Sequence, residues 1–373
     1  MPRIQSLRIQ NFRNLSNINV GLFKDFNYFW GSNGSGKTSF LEAIYFAATG
    51  RSFRTPQIPY LIKSDTDAFC IGATVLTEKH PASLSIQRTR SGSRSIQWDG
   101  KKLTGFAPVA QEIPVQFIST LSYRFFTDGP KIRRQFFDWA MFHVKPLFRR
   151  TWKEWERLLT QRNATLKQRY PRAQVQAWDE GLCELAKKID DQRIELLESI
   201  TPLLNKHLRL LRAPFKCELH YDRGWPLKSD LEVILRDQIE RDYALGYTYS
   251  GPQRADFQLL VHNAPAANVL SQGQQKLAMY AMHLTQGYFL QQETAKSPIY
   301  LIDDMASELD LKTQDTVLNH LAHSLNAQLF LTGITPELFA NHWVKNSSLF
   351  EITAGKMEPF FVNPGLENTV ANS

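Results

Sequence analysis

The chain has 373 residues, 43 % hydrophobic and 21 % charged, which excludes a disordered or low-complexity protein and leaves room for two or three domains or lobes. Its 44 Lys and Arg against 36 Asp and Glu give a formal charge of +8, a bias that favours an acidic partner such as nucleic acid without requiring one. Cys70, Cys183 and Cys217 lie far apart without metal-ligand spacing, so they read as core residues of a protein in a reducing, cytoplasmic setting.

The first residues, "MPRIQSLRIQNFRN", alternate apolar and polar side chains and are broken by arginines, so they read as a strand rather than the apolar core of a signal peptide. No run of about 18 apolar residues follows, and no membrane span is expected. "IQSLRIQNF", "INVGLF" and "FNYFW" predict three strands, the third running into "GSNGSGKTSFLEAIYFAATG", where Phe40, Ile44 and Ala47 have helical spacing. "FCIGATVL", "SLSIQRT" and "SRSIQW" predict further strands, the last closing on an Asp99-Gly100 hairpin turn, and "IPVQFI" predicts a buried one.

From about Lys131 the period becomes helical. Trp152, Trp155, Leu159 and Leu166, with Arg162 at the seam, and then Trp178, Leu182, Leu185, Ile189 and Leu196 predict two antiparallel helices broken near Pro171. A helix of about 30 residues would be roughly 45 Å long. Strand–helix alternation returns near Tyr247 and runs through "FQLLVHN", a helix after Ser271, "PIYLID", a helix near Asp315–Ala322, "AQLFLTG" and "SSLFEIT". That order predicts parallel pairing in a sandwiched sheet. The expected division is therefore residues 1–118 and 245–363 as two parts of one α/β lobe, 119–244 as an inserted helical lobe, and 364–373 as a loose tail.

Gly31-Ser32-Asn33-Gly34-Ser35-Gly36-Lys37-Thr38 fits G-x-x-x-x-G-K-[ST] in full. Glycines in this pattern let successive backbone N–H groups curl round phosphate oxygens at a helix N-terminus. Lys37 would reach the β- and γ-phosphates of ATP, and the Thr38 hydroxyl would ligate Mg2+. A second ligand is expected where "PIYLIDD" ends: Asp303 would hold the ion and Asp304 would orient the attacking water, unless the pair only caps the next helix. In "NVLSQGQQK", Ser271 can cap a helix whose first turn Gly273 keeps open to a phosphate; alone, the stretch reads first as an ordinary capped helix.

P-loop, then "LSQGQQ", then "LIDDMASELD" is the order found in ABC-type ATPase heads, so the expected fold class is an ABC-type P-loop head with an inserted α-helical lobe. In those heads the signature serine faces the γ-phosphate bound by the opposite subunit, which implies an ATP-dependent homodimer with Ser271 and Gly273 on the partner's nucleotide. "LRIQNFRN", "GRSFRT", "GPKIRRQFFD", "QRNATLK" and "GPQRADF" narrow the likeness: with the ATPase motifs, these blocks resemble the bacterial RecF family of recombination mediators, kin of SMC-type heads, over about residues 5 to 310. The family's Ser-Pro-Asp-Asp segment reads "FISTLSYRF" here, and its Gly-Pro-His-Arg-Asp-Asp block has Gln253 for histidine and Ala255 for the first acid. No histidine follows "LFLTG", leaving Thr332 or Thr335 to take a switch histidine's place. Asp304 stands where many heads carry the longer Glu, and slow hydrolysis is expected, suited to a timed switch.

Between Lys131 and Ala173 there are twelve Lys and Arg against Asp138, Glu154 and Glu156, a net +9. Arg133, Arg134, Arg149, Arg150, Lys153 and Arg157 are candidate phosphate-backbone contacts, expected to hold double- or single-stranded DNA with little sequence preference. Trp152, Trp155 and Trp178 read as core rather than as stacking platforms. Arg51 and Arg54 read either as contacts to nucleotide or DNA or as an exposed loop. The resemblance implies a DNA-repair switch with RecO- and RecR-like partners, recombinase loading at gaps and stalled forks, and a link to the SOS response. Two other readings stand beside it: the ATPase subunit of a membrane transporter, and a nucleotide-gated protein scaffold.

Overall fold

The computed structural model describes residues 1–21, 23–78, 80–335 and 347–359; the expected tail, 364–373, lies outside them. The chain forms two compact units, Met1–Ser122 with Thr294–Ser373, and Tyr123–Glu293. Residues 245–293, grouped by sequence with the ATPase lobe, pack within the second unit.

In the first unit, β1 (Arg3–Phe12) and β2 (Leu15–Gly21) pair antiparallel with Phe12 opposite Leu15. The Arg13-Asn14 turn between them holds Arg13 at a φ of 55°. β3 (Phe26–Trp30) leads through the P-loop into the helix Lys37–Thr49. β4 (Ala68–Leu76), β5 (Pro81–Thr89), β6 (Arg94–Trp98) and β7 (Lys101–Lys102) complete a six-stranded antiparallel sheet in the order β2-β1-β4-β5-β6-β7. Asp99 and Gly100, both at positive φ, make the predicted tight turn between β6 and β7. β8 (Val115–Ile118) ends this part of the chain.

The second unit begins with helices. Pro130–Val144 and Pro146–Lys167 are followed, after a short turn of helix, by Asp179–Leu210, whose 32 residues span about 48 Å at 1.5 Å each. β9 (Glu218–Asp222), β10 (Asp256–Val261) and β11 (Ala264–Pro265) form a separate three-stranded sheet. Here "FQLLVHN" departs from expectation: β10 pairs antiparallel with both neighbours. The cause is local. His262 and Asn263 both take positive φ and reverse the chain at once, whereas a parallel partner needs a crossover of a dozen or more residues. The helix Gln272–Thr294 then leads out of the unit.

Back in the first unit, β12 (Ile299–Ile302), β13 (Leu329–Gly333), β14 (Ser347–Thr353) and β15 (Lys356–Pro359) join β3 and β8 in the order β15-β14-β3-β13-β12-β8. All pairs are parallel except β14–β15, as the strand–helix order predicts. The P-loop helix packs against strands of both sheets, which is why Phe40, Leu41, Ile44, Phe46 and Ala47 bury nearly its whole circumference. Beneath it the Phe29 ring stacks on Phe350 at 5.1 Å and on Phe330 at 6.1 Å. Among the described residues no helix is long and apolar enough to cross a membrane.

Candidate nucleotide-binding site

The P-loop turns between β3 and its helix on two glycines that no other residue could replace. Gly31 has a φ of 152°, and a Cβ there would lie 2.2 Å from the Ile352 carbonyl oxygen; Gly36 has a φ of 119°, and its Cβ would meet the Leu15 side chain at 2.9 Å. The loop is also tied down from outside. Asn14 Nδ2 donates to the Gly34 carbonyl at 3.1 Å, and the Gly355 N–H donates to that of Ser35 at 2.8 Å. Lys37 Nζ folds back onto the carbonyls of Gly31 (2.6 Å) and Ser32 (2.9 Å). Partial burial lowers the Lys37 pKa from its ordinary value, with the charges of Asp303 and Asp304 pulling the other way.

Asp303 and Asp304 leave β12 at the same edge. The Asp303 N–H is held by the Ile118 carbonyl at the end of β8. Its Oδ2 accepts from the Thr38 hydroxyl at 2.9 Å, and its Oδ1 accepts from the Thr332 hydroxyl at 2.6 Å. Thr332 Oγ1 accepts in turn from the Asp304 N–H at 3.0 Å, and Asp304 is held at a φ of 51°. Of the two threonines offered for a switch histidine, Thr332 therefore has its side chain against both aspartates. Thr335 contributes its carbonyl to the Tyr28 hydroxyl at 2.6 Å.

A cavity of about 850 Å³ opens over these groups, lined by Asn33, Gly34, Gly36, Lys37, Thr38, Asp303 and Asp304; Gly31, Ser32 and Ser35 shape the loop behind them. Its size lies within the roughly 300–1,000 Å³ of small-ligand sites. Arg13, Asn14, Arg54 and Tyr60 also line it, of which only Arg54 is a sequence-level candidate. The others arrive from the β1–β2 turn and the short 3-10 turn Ile58–Leu61. The P-loop helix joins them through Glu42, fully buried, which accepts from Arg13 Nε at 3.0 Å and Nη2 at 2.7 Å and from the Ser52 hydroxyl. Arg54 Nη1 lies 3.6 Å from the same carboxylate. Arg51 is exposed and is not among the lining residues.

Ser271 and Gly273 belong to the second unit and present themselves to solvent. Ser271 Oγ accepts the Gln274 N–H at 3.3 Å while Gln274 Oε1 accepts the Ser271 N–H at 2.9 Å. This reciprocal capping box opens the helix, and a Cβ at Gly273 would meet nothing within 4 Å. The stretch is thus an exposed, capped helix start.

The six candidate DNA-contacting cations separate. Arg133 is committed internally: Nε and Nη2 bind Asp256 at 2.7 and 2.9 Å, and Nη1 donates to the Phe125 and Asp128 carbonyls. Arg134 donates to the Ala255 carbonyl. Both serve the "GPQRAD" block instead of facing solvent. Arg149 sits over the Phe142 ring at 5.6 Å, while Arg150, Lys153 and Arg157 are exposed at i, i+3 and i+7 on one face of Pro146–Lys167. Arg162 is fully buried, bonded to Asp179 (2.7 Å), Asp242 (2.6 Å) and Thr248 (2.8 Å). Trp155 is core, as expected.

A glycine-rich loop at a helix N-terminus, its threonine hydrogen-bonded to the carboxylate at the end of a parallel strand, is the arrangement of a P-loop ATPase head. The chain matches the RecF/RecN/SMC N-terminal domain over residues 3–357. It is 40 % identical over 357 residues to the DNA replication and repair protein RecF of Coxiella burnetii, covering 96 % of this chain and 99 % of that one. It is 37 % identical over 358 residues to the RecF of Aliivibrio fischeri, with the same coverage. The chain belongs to the RecF family. The transporter reading does not fit these relatives. Among solved structures, the recombination mediator protein RecF–ATP of the RecFOR pathway superposes with a TM-score of 0.87 at 24 % identity, over 96 % of this chain and 98 % of that one. The Smc head domain of Pyrococcus furiosus, bound to the C-terminal domain of ScpA, gives 0.59 at 16 % identity, over 97 % of each chain.

Proposed function

We propose that the chain is an ATP-gated DNA-binding switch of recombinational repair, cytoplasmic, working as a head-to-tail homodimer. The observation that carries this reading is the hydrogen-bonded line Thr38–Asp303–Thr332–Asp304, which joins the P-loop to the strand end where hydrolysis must be controlled. Thr38 Oγ1 and Asp303 Oδ2, 2.9 Å apart, are the hard oxygen donors a magnesium ion requires. They would hold that ion, which supplies charge neutralisation on the β- and γ-phosphates. Lys37 exchanges its own loop carbonyls for phosphate oxygens, and the loop N–H groups bind the remaining ones. Asp304, oriented through Thr332, positions the attacking water; its side chain is one methylene shorter than a glutamate, and hydrolysis is slow.

The exposed capping box supplies the second half of the switch. Ser271 and Gly273 meet the γ-phosphate held by the partner subunit, so two ATP molecules close two heads. Closure aligns the exposed cations Arg150, Lys153 and Arg157 of both copies along one DNA backbone, in duplex or single strand, and hydrolysis releases it. RecO- and RecR-like proteins are the partners of this reading, which the RecFOR pathway of the structural relative supports, and loading of recombinase at gaps and stalled forks is its outcome.

Sedimentation of an Asp304→Asn variant with labelled duplex DNA tests this. Asparagine keeps the side-chain shape while slowing hydrolysis, so a dimer carrying DNA is expected in Mg-ATP and a monomer without DNA in Mg-ADP. A dimer that leaves the DNA behind would leave only a nucleotide-gated scaffold. A monomer in both nucleotides would overturn the switch.

A further inference from the structure

The residues that line the nucleotide cavity include one aromatic residue, Tyr60, which is 64 % exposed. Single exposed apolar side chains are common on proteins and mean little by themselves. Tyr60 differs because its backbone is fixed on every side. Its neighbour Leu61 is fully buried and Ile62 nearly so. The Leu61 carbonyl accepts from the Arg13 N–H at 2.7 Å, and the Lys63 N–H donates to the Asn11 carbonyl at 2.9 Å. The Tyr60 carbonyl accepts from Arg13 Nη1 at 2.8 Å, and the same guanidinium is bonded to Glu42 on the P-loop helix. Arg90 clamps the far side through the Lys63 carbonyl at 3.0 Å and the Thr66 carbonyl at 2.8 Å. An aromatic side chain is thus displayed into the cavity from a rigid turn.

The chemistry of the lining divides in the same way as the chemistry of a nucleoside triphosphate. Lys37, Thr38 and the loop N–H groups suit phosphates. A nucleotide has one flat apolar part, its base, and Tyr60 is the lining residue that offers a π-face to match it.

We infer that Tyr60 is the base-stacking platform of this site, binding the base of the nucleotide while the P-loop binds its phosphates. The inference rests on the nucleotide reading above and deepens it. Stacking is blind to the hydrogen-bonding edge of the base, and it costs little entropy when the platform is already held in place. The site therefore gains affinity from the presence of a base more than from its identity.

Calorimetric titration of the full-length chain with Mg-ATP and with Mg-tripolyphosphate tests the assignment, because the second ligand has phosphates and no base. Tyr60→Ala should weaken ATP binding by about tenfold or more, the range of base–aromatic stacking, and leave tripolyphosphate affinity unchanged. Tyr60→Phe keeps the ring and should keep wild-type ATP affinity. Both variants retain the backbone carbonyl that Arg13 uses, so the turn is preserved. Equal weakening of both ligands by Tyr60→Ala, or no change in either, would overturn the assignment while leaving the P-loop reading in place. Wild-type protein that bound neither ligand would overturn the P-loop reading and the stacking role with it.

Discussion

Arg162 and Arg157 lie on the same helix, and within that strongly basic stretch charge alone does not separate them. In the structure Arg157 is exposed beside Glu154, whereas Arg162 is fully buried between Asp179, Asp242 and Thr248. Arg193 repeats the buried pattern with Asp138 at 3.0 Å, and Arg133, half-buried, pairs in the same way with Asp256. Cations on the outer face remain available to phosphates; those on the inner face hold distant segments together. A high local charge marks a candidate surface, and only the carboxylates that arrive from elsewhere in the chain decide how much of it is left.

The contrast is sharpest at Arg162. Arg162→Met strands two carboxylates in the interior and should cost about 3–5 kcal/mol in denaturant unfolding. The Asp179 carboxyl is already raised by burial, which Arg162 opposes. Replacing Asp179 and Asp242 by leucine as well should restore much of the loss, since an apolar set avoids the desolvation of the ions. If Arg162→Met unfolded no more easily than Arg157→Gln, the division into structural and surface cations would fail.

A second effect concerns a buried imidazole. Burial pushes the His283 imidazole down to about 3, against about 6.5 in an unfolded chain. Between those values the unfolded state binds a proton that the folded state refuses. Stability is therefore complete above about pH 6.5 and falls on acidification through that window, by up to about 1.4 kcal/mol per pH unit. The melting temperature followed downward from about neutral pH should show this slope, and His283→Gln should flatten it. An unchanged slope in the variant would assign the acid sensitivity elsewhere.

The exposed stripe should matter least to stability and most to DNA. Arg150→Gln, Lys153→Gln and Arg157→Gln should each change stability by no more than about 0.5 kcal/mol. Together they should reduce the dependence of log affinity on log salt by about 0.9 for each phosphate that is no longer neutralised. Arg133→Gln, measured in the same assay, should destabilise the fold through Asp256 and leave the salt slope unchanged.

The candidate nucleotide site was legible in the sequence because its two halves are each contiguous: Gly31–Thr38 and Ile299–Asp304 each lie in a few adjacent residues. Parallel pairing of β3, β12, β13 and β14 followed from alternation for the same reason. Arg13 and Tyr60 were not legible, because they reach the cavity from separate turns that the antiparallel sheet brings to the P-loop. Nor was the commitment of Arg133 and Arg134 to residues 255 and 256, which lie more than a hundred positions away. β10 was placed in the wrong kind of sheet because the His262-Asn263 turn contains no glycine or proline to announce it. The blocks "QRNATLK" and "GPQRADF", which single out the family, prove to be joinery. Arg162 and Asn163 fasten the 242–248 segment, and Gln253 donates to the carbonyls of Thr248 and Ser250.

In the proposed switch, the P-loop of one copy and the capped helix start of another complete a single nucleotide site. Mixing two defective variants tests this directly. Lys37→Ala removes the phosphate lysine and Ser271→Arg blocks the signature face, so neither protein alone should hydrolyse ATP above background. In a mixed dimer one composite site joins an intact Lys37 to an intact Ser271, and activity should reappear when the two are combined. A mixture no more active than the sum of its parts, from variants that remain folded, would contradict the shared site.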